Sequence, residues 1–138
     1  MERKNRILVI DDTAIAIRSL NNMLKDFYEI LIAKSGLQGI ESAKKYKPDL
    51  ILLDLVMPEM SGFDVLNVLK SDADTRDIPV ILISASDSRE DEEKGYTFGA
   101  IDYVKKPFVD GIIKHRIRYA LEYHAMYKSI NNIIGGRK

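Results

Sequence analysis

Five side chains are of types that act together on charged oxygen: Asp11, Asp12, Asp54, Ser84 and Lys106. Each stands at or just beyond the end of a short apolar run. Asp11 and Asp12 follow "RILVI" (6–10), Asp54 closes "LILLD" (50–54), Ser84 closes "VILIS" (80–84), and Lys106 follows "IDYV" (101–104). Three carboxylates drawn together repel one another, and a bare cluster raises at least one pKa. A divalent cation resolves the repulsion at lower cost. Hard oxygen ligands on a loop-lined edge suit Mg²⁺, with Mn²⁺ as the alternative, and Mg²⁺ takes phosphate readily as a co-ligand. Lys106 adds a point charge and Ser84 a hydroxyl donor, so the set suits a metal plus a group with several negative oxygens. A phosphoryl group fits. A carboxylate can also be the nucleophile that receives it, giving an aspartyl phosphate. Mg²⁺, Lys106 and Ser84 would then neutralise charge on the equatorial oxygens.

The elements that must position these groups are short. Besides the four runs above, "EILIA" (29–33) reads as a fifth strand. Most runs are apolar on consecutive residues, the pattern of strands buried on both faces. Helical spacing fills the intervals. Ile17, Leu20, Met23, Leu24 and Phe27 make one stripe, and "SGLQ" (35–38) and "SGFD" (61–64) resemble capping boxes opening the second and third helices. Pro48, Pro58, Pro79 and Pro107 fall at junctions. Five β-α units in series imply an α/β fold: a doubly wound parallel sheet with helices on both faces. All strand C-termini then point to one edge, where ligands bind. That edge would gather the five polar groups.

The chain has 138 residues, 46% hydrophobic and 30% charged, which suits one domain with a single core. Lys+Arg and Asp+Glu are 21 each, so no global field draws it to nucleic acid or an anionic membrane. It has no cysteine, which excludes disulfides and thiolate metal sites. "MERKNR" leads straight into a strand, and no apolar stretch is long enough for a signal peptide or membrane span. These features point to a cytoplasmic protein.

Each piece alone has an ordinary explanation. Asp12 could be a helix N-cap, Asp54 a turn acid, Ser84 a satisfied strand-end hydroxyl, Lys106 a solvated lysine and Tyr103 a partly buried aromatic. Needing all five explanations at the ends of alternating strands is less economical than one shared site.

In order and spacing, "LVIDD" (8–12), "DLILLDLVMPEMSGFDVL" (49–66), "IPVILISAS" (78–86) and "GAIDYVKKPF" (99–108) resemble the receiver domain of two-component response regulators, the CheY-like family. The resemblance covers roughly residues 5 to 125. It implies a single (βα)5 domain with strands in the flavodoxin-like order 2-1-3-4-5, and phosphorelay signalling with a sensor histidine kinase or phosphotransfer protein as donor. It further implies that Asp54 is the phosphoacceptor, that Asp12 ligates Mg²⁺ directly and Asp11 mainly through water, and that the Val56 backbone carbonyl completes the shell. Ser84, where the family often has threonine, and Lys106 would contact the phosphoryl oxygens. Tyr103 would be an aromatic switch following Ser84, and Lys106–Pro107 a cis bond. Val56 and Ser86 would tune phosphoryl lifetime, and the apolar Val56 implies slow self-dephosphorylation. Enzymatic activity would be limited to slow self-phosphorylation from small donors and that hydrolysis.

A haloacid-dehalogenase-like phosphatase also uses a strand-end Asp, Mg²⁺, Ser/Thr and Lys, but it needs D-x-D after strand one where this chain has "DDT". A scaffold that has lost phosphorylation is disfavoured by the intact five-residue set. A Rossmann module is disfavoured by the lack of G-x-G-x-x-G after strand one. Nothing marks direct nucleic-acid binding.

Two segments bear on partners. The charged helix near 88–98, "SREDEEKGYTF", offers few core residues beyond Tyr96 and Phe98, which suits a moving part. From 108 to about 134, Ile113, Ile117, Ala120 and Leu121 form one stripe. Ile112, Arg116, Tyr119, Tyr123, Met126, Ile130 and Ile133 form a second, spaced alternately four and three like a heptad seam. The reading is a receiver over 1–126 and a helical extension or linker over 127–138, ending at "GGRK". A second copy or a downstream output domain would use 88–134, with acids in 90–93 able to pair with Lys114, Arg116 and Arg118 across a dimer.

Overall fold

A computed structural model describes residues 3–135. Strands β1 (Arg6–Ile10), β2 (Glu29–Ala33), β3 (Leu50–Asp54), β4 (Val80–Ser84) and β5 (Asp102–Lys105) alternate with helices α1 (Ala14–Leu24), α2 (Gly36–Tyr46), α3 (Gly62–Ser71), α4 (Arg89–Thr97) and α5 (Asp110–Gly135). All neighbouring strands pair in parallel, in the order β2-β1-β3-β4-β5.

The two-residue period of a strand assigns alternate residues to two cores. Leu8, Ile10, Ile51, Leu53 and Leu82 face α2 and α3, packing with Ile40, Ala43, Val65, Leu66 and Leu69. Ile7, Val9, Leu50, Leu52, Ile81 and Ile83 face α1 and α5, packing with Leu20, Leu24, Ile113, Ile117 and Ala120. β1, β3 and β4 are inside both cores, which is why their runs are uniformly apolar. β2 is an edge strand: its Ile32 is apolar yet exposed.

Several local expectations need correction. β5 runs 102–105, not 101–104, because Lys105 completes the ladder opposite Ser84 while Ile101 precedes it. On α1 the buried face is Ala16, Leu20 and Leu24; Phe27 lies beyond the helix end, exposed, with the Lys114 ammonium 4.8 Å from its ring centre. The second helix has half of the expected capping box. Ser35 Oγ accepts from the Gln38 N–H, but the Gln38 side chain accepts from Lys34 N–H rather than closing on Ser35. Ser61 and Asp64 form the full reciprocal box. On α4 the one buried residue is Gly95; Tyr96 and Phe98 are exposed, so that helix contributes even less to the core than its sequence suggests. A Cβ on Gly95 would sit 2.5 Å from Leu82 Cδ1, so the missing side chain is what lets α4 lie close to the sheet.

Candidate metal and phosphoryl site

The parallel sheet delivers four strand ends to one edge. Leu55 N–H donates to Ile83 O, and Lys106 N–H donates to Ser84 O, so the ends of β3, β4 and β5 are tied in sequence. On this edge Asp11, Asp12 and Asp54 each present a carboxylate oxygen within 4.8 Å of the others. Lys106 Nζ lies 3.0 Å from Asp11 Oδ2 and 3.4 Å from Asp54 Oδ1. Asp11 is fully buried and Asp54 is 4% exposed, whereas Asp12 is open to solvent. A buried pair of acids with one lysine between them leaves one negative charge uncompensated, before Asp12 is counted.

The cost falls on Asp54. Burial raises its pKa from 3.8 to about 6; the nearby Asp11 charge adds to the rise, and Lys106 and the Val56 backbone N–H offset part of it. Asp54 is therefore mostly ionised at neutral pH but strained as an anion. An all-oxygen donor set with surplus negative charge, half-buried on a loop-lined edge, fits a hard divalent cation such as Mg²⁺.

Two residues that the sequence reading did not single out shape the site. Thr13 donates both its N–H and its hydroxyl to Asp11 Oδ1, each at 2.9 Å, holding that carboxylate so that its other oxygen faces Lys106. Thr13, rather than Asp12, is the N-cap residue of α1, which leaves Asp12 free of a structural duty at the helix start. The second is Gly62. A Cβ there would lie 2.5 Å from the Asp54 carbonyl oxygen and 2.7 Å from Leu55 Cα, so only glycine lets α3 begin against the β3 end. The signal for Thr13 was its i+2 spacing from Asp11, an Asx-type turn; nothing in the sequence marks the contact of Gly62.

Ser84 is buried at the end of β4, and its Oγ accepts from Ser86 N–H at 3.1 Å. The Ser86 hydroxyl is turned toward α4, donating to Asp91 Oδ2 at 3.1 Å. Tyr103 is buried on β5 with its hydroxyl 3.3 Å from Ser86 O. Ser84 and Tyr103 thus both bond to Ser86 in the loop after β4. The Val56 side chain is 71% exposed, and Lys106–Pro107 is cis.

Comparison with known proteins agrees with this arrangement. The family model of the response regulator receiver domain matches residues 7–118. Response regulator PleD of Caulobacter vibrioides is 43% identical over 114 residues, which cover 82% of this chain and 25% of that protein. Protein PilH of Pseudomonas aeruginosa is 34% identical over 132 residues, covering 95% of this chain and 98% of that one. Among solved structures, the receiver domain of the Francisella response regulator 1452 superposes with a TM-score of 0.80 at 25% identity, covering 87% of this chain and 98% of that chain. The chain thus spans about a quarter of PleD and nearly all of PilH.

Proposed function

The chain belongs to the response regulator receiver family, a regulatory module of phosphorelay signalling, and from that premise we propose that Asp54 is its phosphoacceptor. The observation that carries the proposal is the trio of carboxylates within 4.8 Å, with Lys106 reaching both Asp11 and Asp54. A sensor histidine kinase or phosphotransfer protein is the donor we assign, and the cytoplasm the compartment. An Asp54 carboxylate oxygen attacks phosphorus, the P–N bond of the phosphohistidine breaks, and its electron pair leaves with the imidazole, which takes up a proton. The phosphoryl group remains on Asp54 as an acyl phosphate.

Asp11, Asp12 and Asp54, with the Val56 carbonyl, would hold Mg²⁺, or Mn²⁺ in its place. The bound ion supplies positive charge against the phosphoryl oxygens. Lys106 would supply a second positive charge, and Ser84 a hydroxyl donor. In the free protein Lys106 is shared between two acids. As Asp54 takes the phosphoryl group, the lysine can follow the new charge without leaving Asp11.

The output follows from the hydroxyl chain. Drawing Ser84 Oγ toward a phosphoryl oxygen removes the acceptor of Ser86 N–H and shifts the loop whose carbonyl holds Tyr103. Tyr103 then reorients, and α4, β5 and α5 change their exposed face. Support comes from α4, which is held by one buried glycine and is therefore cheap to move. Val56 and Ser86 set the lifetime: an exposed valine cannot align an attacking water, and the Ser86 hydroxyl is occupied by Asp91. Activity beyond slow uptake from small donors and slow self-hydrolysis is not part of the proposal. We assign 1–126 to the receiver and 127–138 to an extension, of which 136–138, within "GGRK", lie outside the described residues. α5 crosses that boundary without a break.

The test is intact mass after incubation with Mg²⁺ and acetyl phosphate. The wild type gains one phosphoryl group and Asp54→Asn gains none. Equal gain by both would reject Asp54 as acceptor.

A further inference from the structure

α5 carries two stripes with different fates. Ile113, Ile117, Ala120 and His124 are buried against the domain, and after His124 none of its described residues is buried. Ala125–Gly135 therefore extends beyond the core by roughly 16 Å at 1.5 Å per residue. The second stripe does not stop there. Ile112, Tyr119, Tyr123, Met126, Ile130 and Ile133 are each at least half exposed, and with Arg116 they repeat at alternating steps of four and three. A sustained repeat of 3.5 is the spacing of a supercoiled helix–helix seam; a helix lying on a globular surface drifts at 3.6.

We propose that this seam pairs with the same seam of a second copy, as a parallel two-stranded coiled coil spanning about three heptads. Three features favour an identical partner. First, from Tyr119 to Gly135 the formal charges are Glu122 and Lys128 alone, so two copies meet without like-charge repulsion, and a strongly charged partner would find nothing to complement. Second, the seam's one charged member, Arg116, is neutralised in its own chain: its Nη1 lies 2.7 Å from Asp102 Oδ1. Third, the polar residues Lys128, Asn131 and Asn132 fall at the outer positions of the same heptad register, so one register sorts apolar inward and polar outward. At its base the seam runs into a groove of about 380 Å³ between α5 and β5, lined by Ile101, Tyr119 and Tyr123 among others. A two-fold pairing along the seam covers that groove in both copies. Of the three bases expected from the sequence to meet 90–93 across a dimer, Lys114 and Arg116 are already paired within the chain, to Asp110 and Asp102; the seam proposed here does not use that pairing or Arg118.

The pairing does not depend on phosphotransfer and is tested without a phosphodonor. Sedimentation of the full chain should give the mass of two chains, and Ile130→Asp should give that of one. Asn132→Asp, which adds the same charge at an outer position, should remain a dimer. Because the chain has no cysteine, orientation can be read directly: Ile130→Cys should form an intermolecular disulfide under mild oxidant, and Lys128→Cys should not. Both sites lie beyond the core, and a retained cooperative melting transition in each variant controls for folding. A wild type that remains monomeric at high concentration overturns the proposal and leaves the face to another occupant, such as a following domain. So does a dimer indifferent to Ile130→Asp. Cross-linking at 128 but not at 130 overturns the parallel register.

Discussion

Asp54→Asn should stabilise the metal-free protein. In the folded wild type the Asp54 pKa is raised from 3.8 to about 6, first by burial and then by Asp11. A raised carboxyl pKa means the folded state binds this proton more tightly than the unfolded chain. The group is neutral in both states below about pH 3. Its ionisation costs stability as pH rises, and the cost is complete above pH 6. At about 1.4 kcal/mol for each pH unit between the two pKa values, the full cost is about 3 kcal/mol. Asparagine fills the same space without the charge and keeps Lys106 paired with Asp11. In EDTA at pH 7.5, urea denaturation should therefore find the variant more stable by up to about 3 kcal/mol. The gap should fall to about half at pH 5 and close below about pH 3. His124, whose pKa is lowered by burial, loses stability in the opposite sense as pH falls below 6.5, but it is present in both proteins and cancels in the difference. Mg²⁺ should then close most of this gap on its own: at a hundredfold excess over its Kd the wild type gains about 2.7 kcal/mol, and the variant, short of one ligand, gains much less. A variant less stable than wild type in EDTA at pH 7.5, or a gap that does not change with pH, would refute the reasoning that these carboxylates are held in mutual repulsion.

Lys106→Met should cost roughly 3 kcal/mol in EDTA because it strands a buried Asp11 charge, and less with Mg²⁺ present; equal losses in the two conditions would mean the lysine and the metal do not share the same charges. Gly62→Ala should destabilise by about 2 kcal/mol, since its Cβ meets backbone rather than a movable side chain, and should slow phosphoryl uptake; wild-type melting would show that the β3–α3 junction yields freely. The phosphorylated wild type, followed by mass after donor removal, should keep its phosphoryl group for minutes or longer. Decay within seconds would show that Val56 does not set the lifetime as argued.

The strand order came from the family resemblance alone, whereas the parallel sheet and the candidate site were legible because burial and chemistry point the same way in β1, β3 and β4. Each is apolar until the residue at which it reaches the working edge, and there the sequence changes to Asp11, Asp54 or Ser84. One end of the sheet was harder to read: β5 lies at an edge that meets water, so hydrophobicity no longer tracks the ladder, and Lys105 is paired while Ile101 precedes the strand. Phe27 and Phe98 lie outside the core because an aromatic at helical spacing can be held by a lysine as well as by a core: Lys114 sits over Phe27 and Lys94 over Phe98. Tyr96 instead turns its hydroxyl toward Asp102. Thr13 and Gly62 act through a backbone turn and a missing Cβ, and their role depends on distances that residue type alone does not carry.

The most direct test of the central claim is to locate the phosphoryl group chemically. After phosphorylation with acetyl phosphate and Mg²⁺, borohydride reduces an acyl phosphate to the alcohol, converting the modified aspartate to homoserine, which peptide mapping then places. The account predicts homoserine at position 54 and unmodified Asp11 and Asp12. Homoserine at 11 or 12, or phosphate retained on Ser84 after reduction, would contradict it.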